Sequence, residues 1–361
     1  MEENNPKTEK DDSVLSPELS TVDGLPFEPS VETPRSALKE ILRDAAYLSL
    51  LSGLLLLVLL QPTFASSEKK TASVGESPIV EEIPVPVFPA PDIAAKAAIV
   101  FDVERGETIF GKNENNSYPL ASLTKVASMA AVLSVLPIDS AVTVGREHLA
   151  VEGDSGLYAD EVWRAFDLAA FTLVSSSNDG ARALAFAAGS ALAKSKENGE
   201  VTDPIRIFTN EMNITVRDRG LSKTRFYNET GLDESPELSG GYGSARDFSI
   251  LFAEAVKKFP SLFEFTTLPS VTFTSLSGRT HQTKNTNTFS DEIPVLSGSK
   301  TGFTDLAGGN LAILFNAGPS RNIAVVVLGS TESERFTDAS KLVWAAIDYL
   351  RQQEKYQNSL E

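Results

Sequence analysis

The longest apolar run lies near the start of the chain. Residues 45–60, AAYLSLLSGLLLLVLL, carry no charge, and QPTFA extends the stretch to Ala65. Spanning a bilayer takes about 20 apolar residues, and no polar face recurs here at helical spacing, so the pattern predicts a transmembrane segment over 45–65. Arg35, Lys39 and Arg43 stand just before it. By the positive-inside tendency they hold the tail, residues 1–44, in the cytoplasm and export everything after Ala65. Thr63-Phe64-Ala65 also fits a small-residue cleavage site, but a polar leader of this length is long for a signal peptide, which favours a retained anchor.

Further on, the pattern shortens into ordinary elements. AAIVFDVERGETIFGKN reads as two strands about a Glu104-Arg105-Gly106 turn. Behind Pro119, Val126, Met129, Ala130, Leu133 and Leu136 recur at helical spacing and predict a helix over 121–136. From about 160 to 258 helical patterns dominate: EVWRAFDLAAFTLVSS, ARALAFAAGSALAKS, IRIFTNEMNITVRDRGL and ARDFSILFAEAVKKF. Strand character returns at SVTFTSL, turns at Ser277-Gly278 and is expected to run on through TKNTNTF. NLAILFNAG and NIAVVVLGS flank Pro319-Ser320, and a helix is expected over 334–352. The order strands, helices, strands, helix predicts an α/β (α+β) fold: a central antiparallel sheet from 94–120 and 265–352, a mostly helical subdomain over about 140–262, and a cleft between them. The folded region is bounded at 94–353, and no internal repeat interrupts it.

Composition narrows the chemistry. The chain has 361 residues, 42% hydrophobic and 22% charged, enough for a sizeable core. Nine Asp or Glu among residues 1–34 face only Lys7 and Lys10, a mix that cannot bury enough apolar surface to fold. Residues 66–93 repeat proline and predict an extended spacer. A net charge of −17 argues against nucleic acid as a partner, because phosphate binding draws on clustered Lys and Arg. With no cysteine and only His148 and His281, thiolate and multi-histidine metal sites are excluded, and no cofactor is assigned. Both histidines read as surface groups on loops or strand edges, and Trp163 and Trp344 as core. Base chemistry therefore falls to lysine or carboxylate.

That directs attention to ASLTKVAS at 121–128, where Ser122 and Lys125 share one turn at a helix start. The spacing alone is common here, recurring at Ser36 to Lys39, Ser66 to Lys69, Ser67 to Lys70 and Ser297 to Lys300. Context singles out Ser122, since free N–H groups and the dipole at a helix start face a ligand. A lysine base must lose its proton, and burial, a positive helix end and a second cation all favour that loss. Two further motifs follow in order, Ser176-Ser177-Asn178 after the apolar run AAFTLVS and Lys300-Thr301-Gly302 at the strand-rich end.

Ser-x-x-Lys, Ser-x-Asn and Lys-Thr-Gly are the motif trio of penicillin-binding proteins and class A β-lactamases. Together with PLASLTK, SSSNDGA, FTNEMN, TRFYNETGL, ARDF, NTNTF and SGSKTGFTDLAGGNL, they make residues 94–352 resemble the D-alanyl-D-alanine carboxypeptidases, the low-molecular-mass penicillin-binding proteins. The resemblance implies a β-lactamase/transpeptidase-like fold and a serine peptidase that trims peptidoglycan stem peptides, with β-lactams as covalent inhibitors. It implies that Ser122 is the nucleophile, Lys125 its base, and Ser176 a proton relay. By the same resemblance Asn178 holds the substrate amide and orients Lys125, while Lys300 and Thr301 grip the terminal carboxylate. Gly302 makes room for substrate backbone, and the Ser122 and Phe303 N–H groups form the oxyanion hole. Ser177 and Gly180 depart from the common pattern, in which Gly and Ala stand there. A D,D-endopeptidase would use the same residues. A β-lactamase would need a deacylating acid, and Glu197, Glu200 and Glu211 lie outside the expected Glu-x-x-Leu-Asn pattern. A silent wall-binding module would have no need of the intact Ser122 and Lys125.

Overall fold

A computed structural model describes residues 84–153, 155–195, 203–319 and 321–360. The tail, the expected transmembrane segment 45–65 and the spacer up to residue 83 lie outside the described residues. No helix among the described residues is long and apolar enough to cross a membrane.

The elements run in the order β1 (Ala97–Asp102), β2 (Glu107–Lys112), β3 (Ser117–Pro119), α1 (Thr124–Val135), β4 (Ala141–Val144), β5 (Glu161–Arg164), α2 (Ala165–Ser175), α3 (Asn178–Ser195) and α4 (Pro204–Asp218). There follow β6 (Arg225–Phe226), β7 (Gly241–Ser244), α5 (Ala245–Lys258), α6 (Pro260–Glu264), β8 (Ser270–Thr274), β9 (Thr280–Lys284), β10 (Leu296–Thr304), β11 (Gly308–Asn316), β12 (Asn322–Ser330) and α7 (Glu334–Leu360). The main sheet has the order β10-β11-β12-β1-β2 and is antiparallel throughout.

Strands β1 and β12 are apolar on both faces because helices cover both. Side chains alternate across a strand, so Ile99, Phe101, Ala324, Val326 and Leu328 join the core beneath α1 and α5, whereas Ala98, Val100, Val325 and Val327 meet Leu342, Val343 and Ala346 of α7. Residues assigned to the spacer take part. Phe88 stacks on Phe110 at 5.2 Å and meets Tyr349 edge-on, and the Asp92 carbonyl accepts from Lys341 Nζ at 2.8 Å.

Three local expectations are corrected. Residues 161–164, expected to be helical, form β5 and pair with β4, because Glu161 and Trp163 are buried at alternate positions while Val162 and Arg164 are not. The strand through TKNTNTF stops at Lys284. Beyond it Asn285 and Asn287 accept from the Asn287 and Phe289 N–H groups at 2.8 and 3.1 Å, local turns that compete with a ladder. The β8–β9 hairpin stands as its own two-stranded sheet, outside the central one.

The histidines and Trp344 are the other corrections: both histidines are buried, whereas Trp344, expected in the core, is 47% exposed. His281 Nε2 lies 2.7 Å from Glu161 Oε1 beneath Trp163, and His148 Nδ1 accepts from the Gly145 N–H at 2.9 Å.

Candidate active site

Where the sequence predicts one helix over 121–136, the chain first makes a single 3-10 turn, Ala121–Leu123, and then α1. Ala121 holds φ at 49°, a left-handed conformation that costs a non-glycine residue roughly 1–2 kcal/mol. Two glycines close on this turn. A Cβ at Gly231 would lie 1.9 Å from the Ala121 carbonyl oxygen, and one at Gly302 would lie 2.9 Å from the Leu120 oxygen and 3.2 Å from Leu123 N. The space that Gly302 leaves is thus filled by the turn bearing Ser122, not kept open for substrate backbone.

One turn into the helix region, Lys125 is fully buried. Its Nζ lies 2.9 Å from Ser122 Oγ, 2.6 Å from Asn178 Oδ1 and 2.8 Å from the Thr230 carbonyl oxygen. Two of these partners can only accept. A neutral amine has two N–H bonds and one lone pair, so both hydrogens go to Asn178 and Thr230 and the lone pair is left facing Ser122. Burial lowers the Lys125 pKa to about 7, against an opposing pull from the Glu229 carboxylate. Of the three expected causes, burial leads, and the second cation does not figure among the causes at Lys125. The mutual repulsion is felt at Lys300, whose ammonium form is disfavoured first by burial, then by Lys125 and Arg335.

Lys300 sits on β10, an edge strand. Its Nζ donates to Ser176 Oγ at 2.9 Å and to the Thr301 carbonyl at 2.8 Å. Ser176 caps α2 in the left-handed region, φ 61° and ψ 31°, which swings its hydroxyl to the cleft. The Ser299 N–H donates to Thr266 Oγ1 on the side away from β11. Backbone direction alternates along a strand, so the N–H groups of Thr301 and Phe303 share that free side. Thr301 Oγ1 donates to Thr286 Oγ1 at 2.6 Å, and the Phe303 side chain is exposed. Hydrogen bonds thereby join Ser122, Lys125 and Asn178 in one set and Ser176 and Lys300 in another, the two lysines being near enough to repel, with Thr301, Gly302 and Phe303 next to Lys300 on β10.

Ser177 Oγ is within 2.6 Å of Ser155 Oγ and accepts from the Gly180 N–H at 2.9 Å. A Cβ at Gly180 would lie 2.3 Å from Thr172 Oγ1 and 3.2 Å from Ser177 Oγ, so it is chiefly the Thr172 side chain that leaves room only for glycine there.

The loop 228–231 lies within the stretch TRFYNETGL that carries the resemblance, but the motifs assign it no site role. Asn228 Oδ1 accepts from the Thr230 and Gly231 N–H groups at 3.2 and 2.7 Å, which aims the Thr230 carbonyl at Lys125. An asparagine two residues before a Thr-Gly pair is the available signal for such a turn. Arg335 is equally unannounced; it is buried and donates to the Gly302 carbonyl at 2.8 Å. Among the described residues no cluster of metal ligands occurs.

Comparison with known proteins gives this arrangement its class. The D-alanyl-D-alanine carboxypeptidase family of peptidases, S11, matches residues 86–331, more than half of the chain, and the chain belongs to that family. It is 27% identical over 303 residues to D-alanyl-D-alanine carboxypeptidase DacF of Bacillus subtilis, covering 82% of this chain and 69% of the relative. It is 30% identical over 276 residues to DacD of Escherichia coli, covering 73% and 65%. The chain thus spans about two thirds of the length of these curated relatives. The ampicillin-bound penicillin-binding protein D2 of Listeria monocytogenes shares the fold at a TM-score of 0.59 and 27% identity, over 71% of this chain and 99% of that one.

Proposed function

We propose that the protein is a serine-type D-alanyl-D-alanine carboxypeptidase acting on peptidoglycan stem peptides. The observation that carries this is the Lys125 amine, whose two obligate acceptors leave its lone pair on Ser122 Oγ. The stem peptide adds alongside β10 as a further strand, its terminal carboxylate at Lys300 and Thr301. A carboxylate there favours the Lys300 ammonium, which burial and the neighbouring Lys125 and Arg335 disfavour. Ser122 Oγ attacks the penultimate D-alanine carbonyl as Lys125 takes its proton. The N–H groups of Ser122 and Phe303 receive the oxyanion. The proton taken by Lys125 returns through Ser176 to the departing D-alanine nitrogen, leaving Lys125 neutral, and water then releases the acyl group with Lys125 again as base. Asn178 orients Lys125 through its Oδ1, and its Nδ2, which gives one hydrogen to the Glu152 carbonyl at 2.6 Å, has a second for the substrate amide.

β-Lactams acylate the same hydroxyl. The segment 45–65 anchors the protein as a single-pass protein of the bacterial cell membrane with the domain on the extracytoplasmic side. Incubation with diacetyl-L-lysyl-D-alanyl-D-alanine tests the activity: release of free D-alanine is expected, together with slow loss of bound penicillin. Rapid penicillin turnover would indicate a β-lactamase, and cleavage confined to cross-linked muropeptides an endopeptidase. For the topology, protease added outside intact cells should digest the domain while the tail stays protected.

A further inference from the structure

Behind Lys125, away from Ser122, a carboxylate has no place in the motif trio. Glu229 is fully buried, and its Oε1 lies 2.8 Å from Arg182 Nε, a side chain only about a third exposed. The two ends of this pair grow from the segments that hold the lysine. Asn178 and Arg182 are four residues apart on α3 and so share a face. Glu229 directly precedes Thr230, and its own carbonyl accepts from Ser128 Oγ of α1 at 2.6 Å. The ion pair therefore clips the Asn178 helix to the Thr230 loop, both against α1.

We propose that Glu229, held by Arg182, is a positioning residue that fixes the two acceptors of Lys125 and sets the charge felt by the lysine. This rests on Lys125 being the base for Ser122. The other groups facing Glu229 are few. Glu234, bonded to Asn228 Nδ2 at 2.6 Å, opposes its charge. Asp203 and Arg206 at the start of α4, with Arg225 and Tyr227 about β6, line a neighbouring polar cavity of about 450 Å³ from which the carboxylate oxygens themselves are buried. Burial raises the Glu229 pKa, and Arg182 first, then Lys125, counter it. The carboxylate in turn favours the Lys125 ammonium.

The sign follows. Only the neutral amine is a base, so acylation falls as pH drops through the Lys125 pKa. Removing the carboxylate makes the ammonium less favourable and moves that acid limb to lower pH. The test is the pH dependence of the acylation rate with a chromogenic cephalosporin, in the full chain. Glu229→Gln, which keeps the shape, should shift the acid limb down by roughly half to one pH unit. Glu229→Asp should leave it near the wild-type position while slowing acylation. Should Glu229→Gln not fold, Arg182→Gln serves: the limb moves down if Glu229 then takes up a proton and up if it stays charged, and either displacement supports the coupling. A slower enzyme whose limb stays at the wild-type pH in Glu229→Gln, or in Arg182→Gln, would overturn it, because loosened packing lowers a rate without moving a titration. Persisting acylation in Ser122→Ala would instead sink the assignment of the nucleophile, so the two failures are distinguishable.

Discussion

Between the sheet and α7, Ala98, Val100, Ile313, Val325, Val327, Leu342 and Val343 are fully buried, and every one is apolar. Around the site, by contrast, Lys125 and Lys300, Glu229 behind Lys125, and Arg335, which reaches Gly302 from the start of α7, are buried almost as deeply, and every one is ionisable. The apolar layer gains free energy with each Å² removed from water, at about 25 cal/mol. A buried charge costs several kcal/mol even when paired. The left-handed backbones of Ala121 and Ser176 add roughly 1–2 kcal/mol each in the same place. The difference teaches how the lysine base exists at all. A rigid apolar scaffold holds the walls of a cleft that would not assemble by itself, and the stored cost appears as an amine that loses its proton near neutrality.

Substitutions on the two sides should separate accordingly. The largest effect is expected at Ser122→Ala, which should lower acylation by a fluorescent penicillin by about 10⁴-fold or more with little change in melting temperature. Band intensity on a gel against time measures it. In the apolar layer, Leu342→Ala should cost about 3 kcal/mol in urea unfolding, while acylation by the folded fraction keeps its wild-type pH dependence. Gly302→Ala crosses the boundary. Its Cβ presses on the nucleophile turn, and displacing that turn by a fraction of an ångström should slow acylation about 10²-fold. The smallest effect is expected at Gly180→Ala, about 1 kcal/mol from contact with Thr172 Oγ1, relieved in the double variant with Thr172→Ala. A Gly180→Ala protein as stable as the wild type would show that the Thr172 side chain gives way without cost.

The apolar side was the more legible one. Continuous apolar runs marked β1, β11 and β12, because burial on both faces leaves a record at every position, while β2 was marked by the turn that joins it to β1 and α7 by one apolar stripe. Motif order likewise foretold that Ser122, Ser176 and Lys300 meet. What stayed hidden depends on partners distant in sequence. Glu161 and Trp163 read as helix because their inward alternation is set by β4 and by His281, 118 positions beyond Trp163. His281 read as a surface group for the same reason. Glu229 looked like any loop acid, since nothing local announces that Arg182 will meet it. Gly302 was matched to a motif, but the turn that requires it lies some 180 residues earlier.

The central claim concerns a single proton. Incorporation of [6-¹³C]lysine and titration of the Lys125 resonance, assigned by its absence in Lys125→Arg, reads that proton directly. The account predicts a midpoint at about 7 in the free protein. A midpoint near the ordinary lysine value of 10.5 would contradict it, because the amine facing Ser122 would then be an ammonium throughout the neutral range.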